Sequence, residues 1–390
     1  MTQSGKLIYL IAGEPSGDLL GARLMVALRA LSTGTIRFAG IGGEQMRAEG
    51  LVSLFPQADL AVMGFAEVVP RLPTILSRLR QTIADIEAMH PSVIVTIDSW
   101  GFTGRIARRL QVRGSTIPRL HYVAPMVWAW KRSRARKLAE CVDRLLCLLP
   151  NEPAFFAPYG LDAVHVGHPV VEKSVPLGDG VAFRQRHHLA PDAPLLVMLP
   201  GSRHSETSRL LPIFAAAALL MARRVPGLEI AIPTVETVEA EVRREVASWP
   251  VRVRVVKAAE KWDCFAAAGA ALAASGTVAL ELAVARVPMV IAYRVAPLTA
   301  MILRRLLTVH YVCLLNLLLD EDAIPELLQE ACTASALADA VLPLLTDSAA
   351  RRRQLGDAAR ALALLGDDGE SPSLQAARQV LTMIQPGSDP

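Results

Sequence analysis

The sequence predicts an α/β protein built from two consecutive doubly wound parallel sheets with a cleft between them, and three observations carry that prediction. Its 390 residues exceed what one typical core serves and suit two domains. Hydrophobic residues make up 52% of the chain while aromatics are only 5%, so Ala, Leu and Val carry the apolar content. That mix suits helices laid over parallel strands better than a β-sandwich. Short β-type runs alternate with helical runs at the spacing of βαβ crossovers.

Taken in order, LIYLIAG (7–13) reads as a continuous apolar strand, followed by a helix over about Asp18 to Leu31. IRFAGIGG (36–43) is a second strand with a glycine turn, and SVIVTIDSW (92–100) a buried strand running into the basic helix FTGRIARRLQ. RLHYVAP (119–125) is a strand, WAWKRSRARKLAECV a helix, and RLLCLLP (144–150) a strand again. A second series starts near Pro194 with LLVMLPGSR (195–203), a strand and loop before the helix LLPIFAAAALLMARRV. Strands follow at LEIAIPTV (228–235), VRVRVVK (251–257) and AALAAS (270–275), then the helix GTVALELAVAR and the strand PMVIAYRV (288–295). The Pro- and Gly-containing stretch VGHPVVEKSVPLGDG (166–180) marks the connection between domains, which we place at 1–168 and 169–390. After Leu364 come DDGESPS, the helix-like AARQVLTMI and a frayed PGSDP, and the final helices of the second domain are expected to pack back on the first.

The bulk properties exclude several classes. With 20% charged residues and a net charge of +4, the chain is neither a disordered tail nor an acidic solvating segment. The positive charge is concentrated: Arg105, Arg108, Arg109, Arg113 and Arg119 precede Lys131, Arg132, Arg134, Arg136 and Lys137. Such a field fits either an anionic partner or a solvated helix face. Five scattered cysteines without a CxxC pair read as buried free thiols, suiting a reducing cytosol. MTQSGKLIYLIAGEPSGD reads as an opening strand rather than a signal peptide. The longest apolar region, Cys264 to Tyr293, is broken by Gly269, Ser275, Gly276, Thr277, Glu281 and Arg286, so any membrane contact is expected to be peripheral.

Ligands of doubly wound sheets sit beyond the carboxyl ends of the strands, so the residues at the strand exits carry the functional reading. AGEPSGD (12–18) lacks the GxGxxG dinucleotide fingerprint. Its Gly13 and Gly17 allow close backbone approach, Ser16 or Asp18 can cap the helix, and the acids Glu14 and Asp18 suit sugar hydroxyls better than phosphate. Asp98 follows VIVTI, which brings its carboxylate out beside apolar walls, a setting for a general base or for a plain helix cap. LPGSRHSE (199–206) delivers Gly201, Ser202 and Arg203 into a helix start, where free amides and a bidentate arginine favour a diphosphate. SGTVALE (275–281) repeats the logic with Ser275, Gly276 and Thr277, and places Glu281 on the second helical turn to accept ribose hydroxyls. His168 reads as structural, and with no HxxxH or HxH pairing and no DxD-type pair obviously placed to carry a metal–diphosphate, neither a metal nor a cofactor is expected.

At these residues the chain resembles the lipid-A-disaccharide synthases, inverting, metal-independent glycosyltransferases with two Rossmann-like domains (the GT-B arrangement). AGEPSGD (12–18), VTIDSWGF (95–102), YVAPMVWAW (122–130), VGHPVVE (166–172), LPGSRHSE (199–206), SGTVALE (275–281), PMVIAYRV (288–295), YVCLLNLLL (311–319) and PELLQE (325–330) carry the resemblance nearly end to end. It implies transfer of 2,3-diacylglucosamine from its UDP derivative to 2,3-diacylglucosamine 1-phosphate, giving a β-1,6-linked disaccharide 1-phosphate and UDP. It further implies Asp98 as base and Glu14, the glutamate of the N-terminal motif, as the second catalytic residue, Asp98 working alone or with Glu14. Gly201, Ser202, Arg203, Glu206, Ser275, Gly276, Thr277 and Glu281 are then the expected UDP-binding residues, and Ser16 and Asn316 (the polar residue after the last sheet strand) the expected substrate-binding ones. The implied location is cytoplasmic, peripheral to the inner membrane of a Gram-negative bacterium, with room for a homodimer and no nucleic-acid partner. For the acyl chains, the segment 62–80 with Arg71, Arg78 and Arg80 reads as an interfacial helix or a core-packing one, Pro70 and Pro73 weakening its continuity. Two departures stand out. Where the family often reads Asp-x-Pro-Asp-Phe-Asn, this chain has Asp98-Ser99-Trp100-Gly101-Phe102-Thr103, which leaves Asp98 as the only acid of that loop; and Cys313-Leu314-Leu315-Asn316 replaces the common Ser-Leu-Pro-Asn. A UDP-sugar 2-epimerase shares the layout and is the rival enzyme; a basic membrane- or nucleic-acid-binding protein is the rival without catalysis.

Overall fold

The computed structural model of the chain describes residues 5–32, 34–60, 65–125, 133–172, 177–296, 300–301, 310–366 and 369–384. Residues 62–64 of the expected interfacial segment, Trp128–Arg132 of the expected basic helix and the PGSDP tail lie outside the described residues. The chain divides into two compact units: Met1–Glu172 with Leu365–Pro390, and Lys173–Leu364.

The first unit runs β1 (Lys6–Ala12), α1 (Pro15–Leu31), β2 (Ile36–Ile41), α2 (Glu44–Ala48), α3 (Phe65–Met89), β3 (Val93–Ile97), α4 (Trp100–Val112), β4 (Arg119–Tyr122), α5 (Ser133–Ala139), β5 (Arg144–Cys147), α6 (Pro153–Phe156) and β6 (Asp162–His165). Its strands lie in the order β2-β1-β3-β4-β5-β6, every pairing parallel. Successive side chains of β1 enter opposite cores, as the two-residue period of a strand requires. Ile8, Leu10 and Ala12 pack on Leu24, Met25 and Leu28 of α1. Leu7, Tyr9 and Ile11 pack on Leu79, Ile83 and Ile86 of α3 and on Phe102, Ile106 and Leu110 of α4. With both faces covered, apolar residues can follow one another without interruption, which is why the run was readable. The described part of α3 therefore serves the core from Ile75 onward, and it runs unbroken through Pro73.

The second unit runs α7 (Gly180–Arg186), β7 (Leu195–Leu199), α8 (His204–Arg224), β8 (Glu229–Thr234), α9 (Glu236–Val246), β9 (Val253–Lys257), α10 (Lys261–Ala267), β10 (Ala270–Ala274), α11 (Val278–Val284), β11 (Met289–Tyr293), α12 (Leu314–Leu319), β12 (Glu326–Leu328), α13 (Ala334–Thr346) and α14 (Ser348–Leu364). The parallel sheet has the order β12-β11-β10-β7-β8-β9. One of its faces buries Leu196, Met198, Ile230 and Leu272 under Phe214 and Met221 of α8 and Leu337 and Val341 of α13.

α15 (Pro372–Ile384) closes the chain and belongs to the first unit, where Ala376, Ala377 and Val380 join the core over β1. The VGHPVVE segment holds it there. Gly167 has φ +85°, and a Cβ on it would stand 2.9 Å from both the Leu365 carbonyl oxygen and Pro372. The His168 amide donates to that carbonyl at 3.2 Å, and the buried Glu172 carboxylate takes the Ser373 amide at 2.7 Å and the Ser371 hydroxyl. The edge strands β6 and β12 were not expected from the sequence. Both are short and only half-buried, so neither has the unbroken apolar run of the inner strands.

Candidate functional site

Strand order decides where the exits meet. In the first sheet the chain passes from β1 out to β2 and then crosses back to lay β3 on the other side of β1. That reversal is a topological switch point, where crossover helices leave on opposite faces and open a crevice at the carboxyl edge. Ala12 is the register partner of Ile97, so Glu14 and Asp98 leave adjacent strands at this point. The second sheet reverses between β7 and β10, with Leu199 paired to Ala273. The Gly201-Ser202-Arg203 and Ser275-Gly276-Thr277 turns therefore leave adjacent strands at the second switch point.

At the first edge, Asp98 and Ser99 both take left-handed backbone, φ +51° and +47°, and Val123 at the exit of β4 has φ +83°. Such conformations cost roughly 1–3 kcal/mol each and persist where surrounding bonds over-determine them. Here the Asp98 amide donates to the Tyr122 carbonyl at 2.9 Å, and the Thr103 hydroxyl donates to the carbonyls of Asp98 (2.9 Å) and Ser99 (3.1 Å). The half-buried Asp98 carboxylate accepts the Ser99 amide on Oδ1 at 2.7 Å, and among the described residues its Oδ2 has no donor. The exposed Glu14 takes the Ser99 hydroxyl on Oε1 at 3.0 Å. Gly13 makes this contact geometrically feasible: a Cβ there would stand 2.9 Å from Ser99 Oγ. Ser16 is exposed beside Glu14 on the first turn of α1. Below the loop, His121 places Nδ1 at 2.8 Å from Thr96 Oγ1 and its ring edge-on to Trp100.

The capping expectation for AGEPSGD needs correction. Glu14 occupies the N-cap position of α1 with no side-chain cap, and neither Ser16 nor Asp18 supplies one. Asp18 is buried and accepts three amides from the turn after β2: Gly43 (2.7 Å), Gln45 (2.8 Å) and Met46 (3.1 Å). Burial and three backbone amides commit that carboxylate to ordering α2. Gln57, which the sequence did not single out, donates to the carbonyls of Ala12 (2.9 Å) and Glu14 (3.1 Å) and steadies the same turn.

At the second edge, Gly201 has φ +113° and faces Glu206, whose Oε2 accepts the Ser202 amide at 3.0 Å while Oε1 lies 3.3 Å from Arg203. Glu206 thus works as a capping carboxylate for its own loop. Arg203 remains largely exposed at the head of α8. Behind it, Glu241 ties His204 and Thr207 at 2.8 and 3.0 Å, and Thr237 donates to the Ser202 carbonyl at 3.2 Å. Gly276 has open space where a side chain would stand, leaving the turn's backbone approachable. Thr277 is the N-cap position of α11, and Glu281 lies in the first turn rather than the second. Its carboxylate is held by Lys261 Nζ, 2.8 Å from both oxygens. Tyr293 ends β11 at the same edge; burial raises its hydroxyl above the ordinary range, with Glu206 adding to the shift and Arg203 opposing it.

Asn316 occupies a different place from the one expected. It lies on α12, ahead of the last strand β12, and is fully buried. Nδ2 donates to the Ile324 carbonyl and to Glu326 Oε1, and Oδ1 accepts the Ile324 amide, all at 2.8 Å. With both amide hydrogens used inside the protein, it organises a loop. Glu326 also accepts the amides of Val312 (2.9 Å) and Cys313 (3.0 Å), and the Val312 carbonyl accepts the Ser275 hydroxyl at 3.3 Å. Asn316 and Glu326 thereby brace the Ser275 turn from behind.

Two Rossmann-like units, each with its polar strand exits gathered at a switch point, define the class of two-domain GT-B enzymes. In agreement, the chain superposes on the calicheamicin glycosyltransferase with a TM-score of 0.57 at 17% identity, covering 99% of this chain and 100% of that one. It also superposes on the UDP-GlcNAc 2-epimerase from Neisseria meningitidis bound to UDP-GlcNAc, with a TM-score of 0.62 at 11% identity, covering 97% and 98%. Identities this low speak for the fold alone. The sequence goes further: the model of the lipid-A-disaccharide synthetase family matches residues 8–379. The lipid-A-disaccharide synthase of Paramagnetospirillum magneticum is 57% identical over 385 residues, covering 98% of this chain and 99% of that protein. The chain belongs to the lipid-A-disaccharide synthase family and is a glycosyltransferase.

Proposed function

We propose that the enzyme transfers 2,3-diacylglucosamine from UDP-2,3-diacylglucosamine to the 6-hydroxyl of 2,3-diacylglucosamine 1-phosphate, with inversion. The observation that carries this reading is the pairing of Glu14 with Asp98 at one switch point and of Arg203 with the Ser275–Thr277 turn at the other. The first unit would hold the acceptor and the second the UDP moiety. Asp98, with Oδ2 unoccupied by protein donors among the described residues, takes the acceptor proton; the oxygen attacks the anomeric carbon; and the bond to the diphosphate breaks, its electron pair leaving with UDP. Arg203, the Ser202 hydroxyl and the amides of Gly201, Gly276 and Thr277 stabilise the charge on the departing diphosphate. Glu206 keeps the first of these turns in shape. Glu281 meets the ribose, exchanging or sharing its contact with Lys261. Ser16 lies within the proposed acceptor region. Asn316 contributes by holding the Ser275 turn, and a peripheral site at the inner membrane suits the acylated substrates. Among the described residues no helix is long and apolar enough to cross a membrane.

The test is a mass-spectrometric assay with both acylated sugars. UDP release should require both substrates and persist in EDTA, since the diphosphate charge is assigned to Arg203 and backbone amides. Asp98→Ala should lower kcat by about 10²–10⁴-fold while donor binding survives; unchanged turnover would remove Asp98 from the base role. Conversion of UDP-GlcNAc alone into another UDP-sugar would favour the epimerase reading instead.

A further inference from the structure

We infer that Ser99 is a positioning residue that joins Asp98 and Glu14 into a single two-carboxylate unit; this rests on the reading of Asp98 as the base. Ser99 stands at the N-cap position of α4, where a serine hydroxyl ordinarily accepts an amide of its own helix and contributes about 1 kcal/mol. Here it makes no such cap. Glu14, at the N-cap position of α1, makes none either. The two residues bond each other instead, Ser99 Oγ donating to Glu14 Oε1 at 3.0 Å across a separation of 85 residues. Two helices forgo a favourable local bond at adjacent strand ends, which is the kind of local rule-breaking expected at functional positions.

The Ser99 amide meanwhile donates to Asp98 Oδ1 at 2.7 Å, so one residue holds one oxygen of each carboxylate. Among the described residues Asp98 Oδ2 and Glu14 Oε2 are left without protein donors. The backbone is shaped for this arrangement: φ is +47° at Ser99, Thr103 secures the carbonyl of Ser99, and the missing Cβ of Gly13 leaves room for the hydroxyl. Ser99 therefore fixes how Glu14 stands relative to the base, and Glu14 acts by orienting the acceptor beside Asp98.

A double-mutant cycle on the full-length enzyme with both acylated substrates tests this. Ser99→Ala and Glu14→Ala should each lower kcat about tenfold, with KM for both substrates within about threefold, and the double variant should be no worse than either single one. Neither change removes a helix cap, so melting temperatures should match the parent. Additive losses in the double variant, or parental kcat in Ser99→Ala or Glu14→Ala, would overturn the inference. Because Glu14 is exposed, Glu14→Ala reads the contact even if Ser99→Ala were to fold poorly. Asp98→Ala separates the two readings: surviving turnover there overturns the base assignment and this inference with it, whereas lost turnover there combined with parental kcat in the Ser99 and Glu14 variants overturns the inference alone.

Discussion

Three backbone amides end on the carboxylate of Asp18 and three hydrogen bonds end on the amide of Asn316, so each of these side chains acts as a piece of internal backbone. Replacing either by Ala strands buried groups, and unfolding in urea should show a loss of about 2–3 kcal/mol for each. For Asn316→Ala the braced Ser275 turn loosens as well, so donor KM should rise more than acceptor KM. His121 carries a pH dependence. Burial lowers its imidazole to about 3 from an ordinary 6.5, so it is neutral in the fold. Between these values the unfolded chain binds the extra proton, so stability falls as pH drops through that window, by up to about 1.4 kcal/mol per pH unit, and is fully present above it. Comparing urea midpoints at neutral and mildly acidic pH checks this, and His121→Gln should reduce the difference, while His168, lowered by burial to about 4, keeps a part of it. Asp98, Glu14 and Arg203 could be read from the sequence because each follows a strand-like run. Glu206 has local partners, three and four residues back, whereas Asp18 and Asn316 meet partners across turns and loops whose course no local pattern gives.

At the level of elements, α15 is secured by a carboxylate that reaches its first turn from Glu172. Glu172→Ala should increase hydrogen exchange of Pro372–Ile384 and expose that segment to proteolysis, while exchange in α8 and α13 stays as it was. The VGHPVVE motif is thus a seat for the returning chain, a role that becomes visible only once Leu365 and Ser371 stand beside it. The inner strands announced themselves because both their faces are covered. The strands β6 and β12 did not, since both are short and half-buried and their composition is mixed.

Across the whole molecule, each unit has its own sheet and core, and the first is completed by the far end of the chain. Ending the chain after Leu364 should therefore lower the stability of the first unit, read as an earlier unfolding transition, although every strand of that unit remains. All five cysteines are unpaired and buried, and burial pushes the Cys141 and Cys313 thiols up to about 11. Alkylation at neutral pH should be slow in the native protein and reach all five thiols in denaturant.

The sequence alone determined the α/β class, the division into two doubly wound units and the strand exits that carry chemistry, because apolar runs, turn residues and charged exits are local signals. Tertiary structure decided which exits are neighbours. Strand order sets β1 against β3 and β7 against β10, bringing Glu14 to Asp98 and Arg203 to the Ser275 turn. It also decided which polar residues are consumed inside the protein: Asp18 and Asn316 meet partners that only the folded chain supplies. That contact, and not residue type, separates a side chain free to meet substrate from one that holds the site in shape.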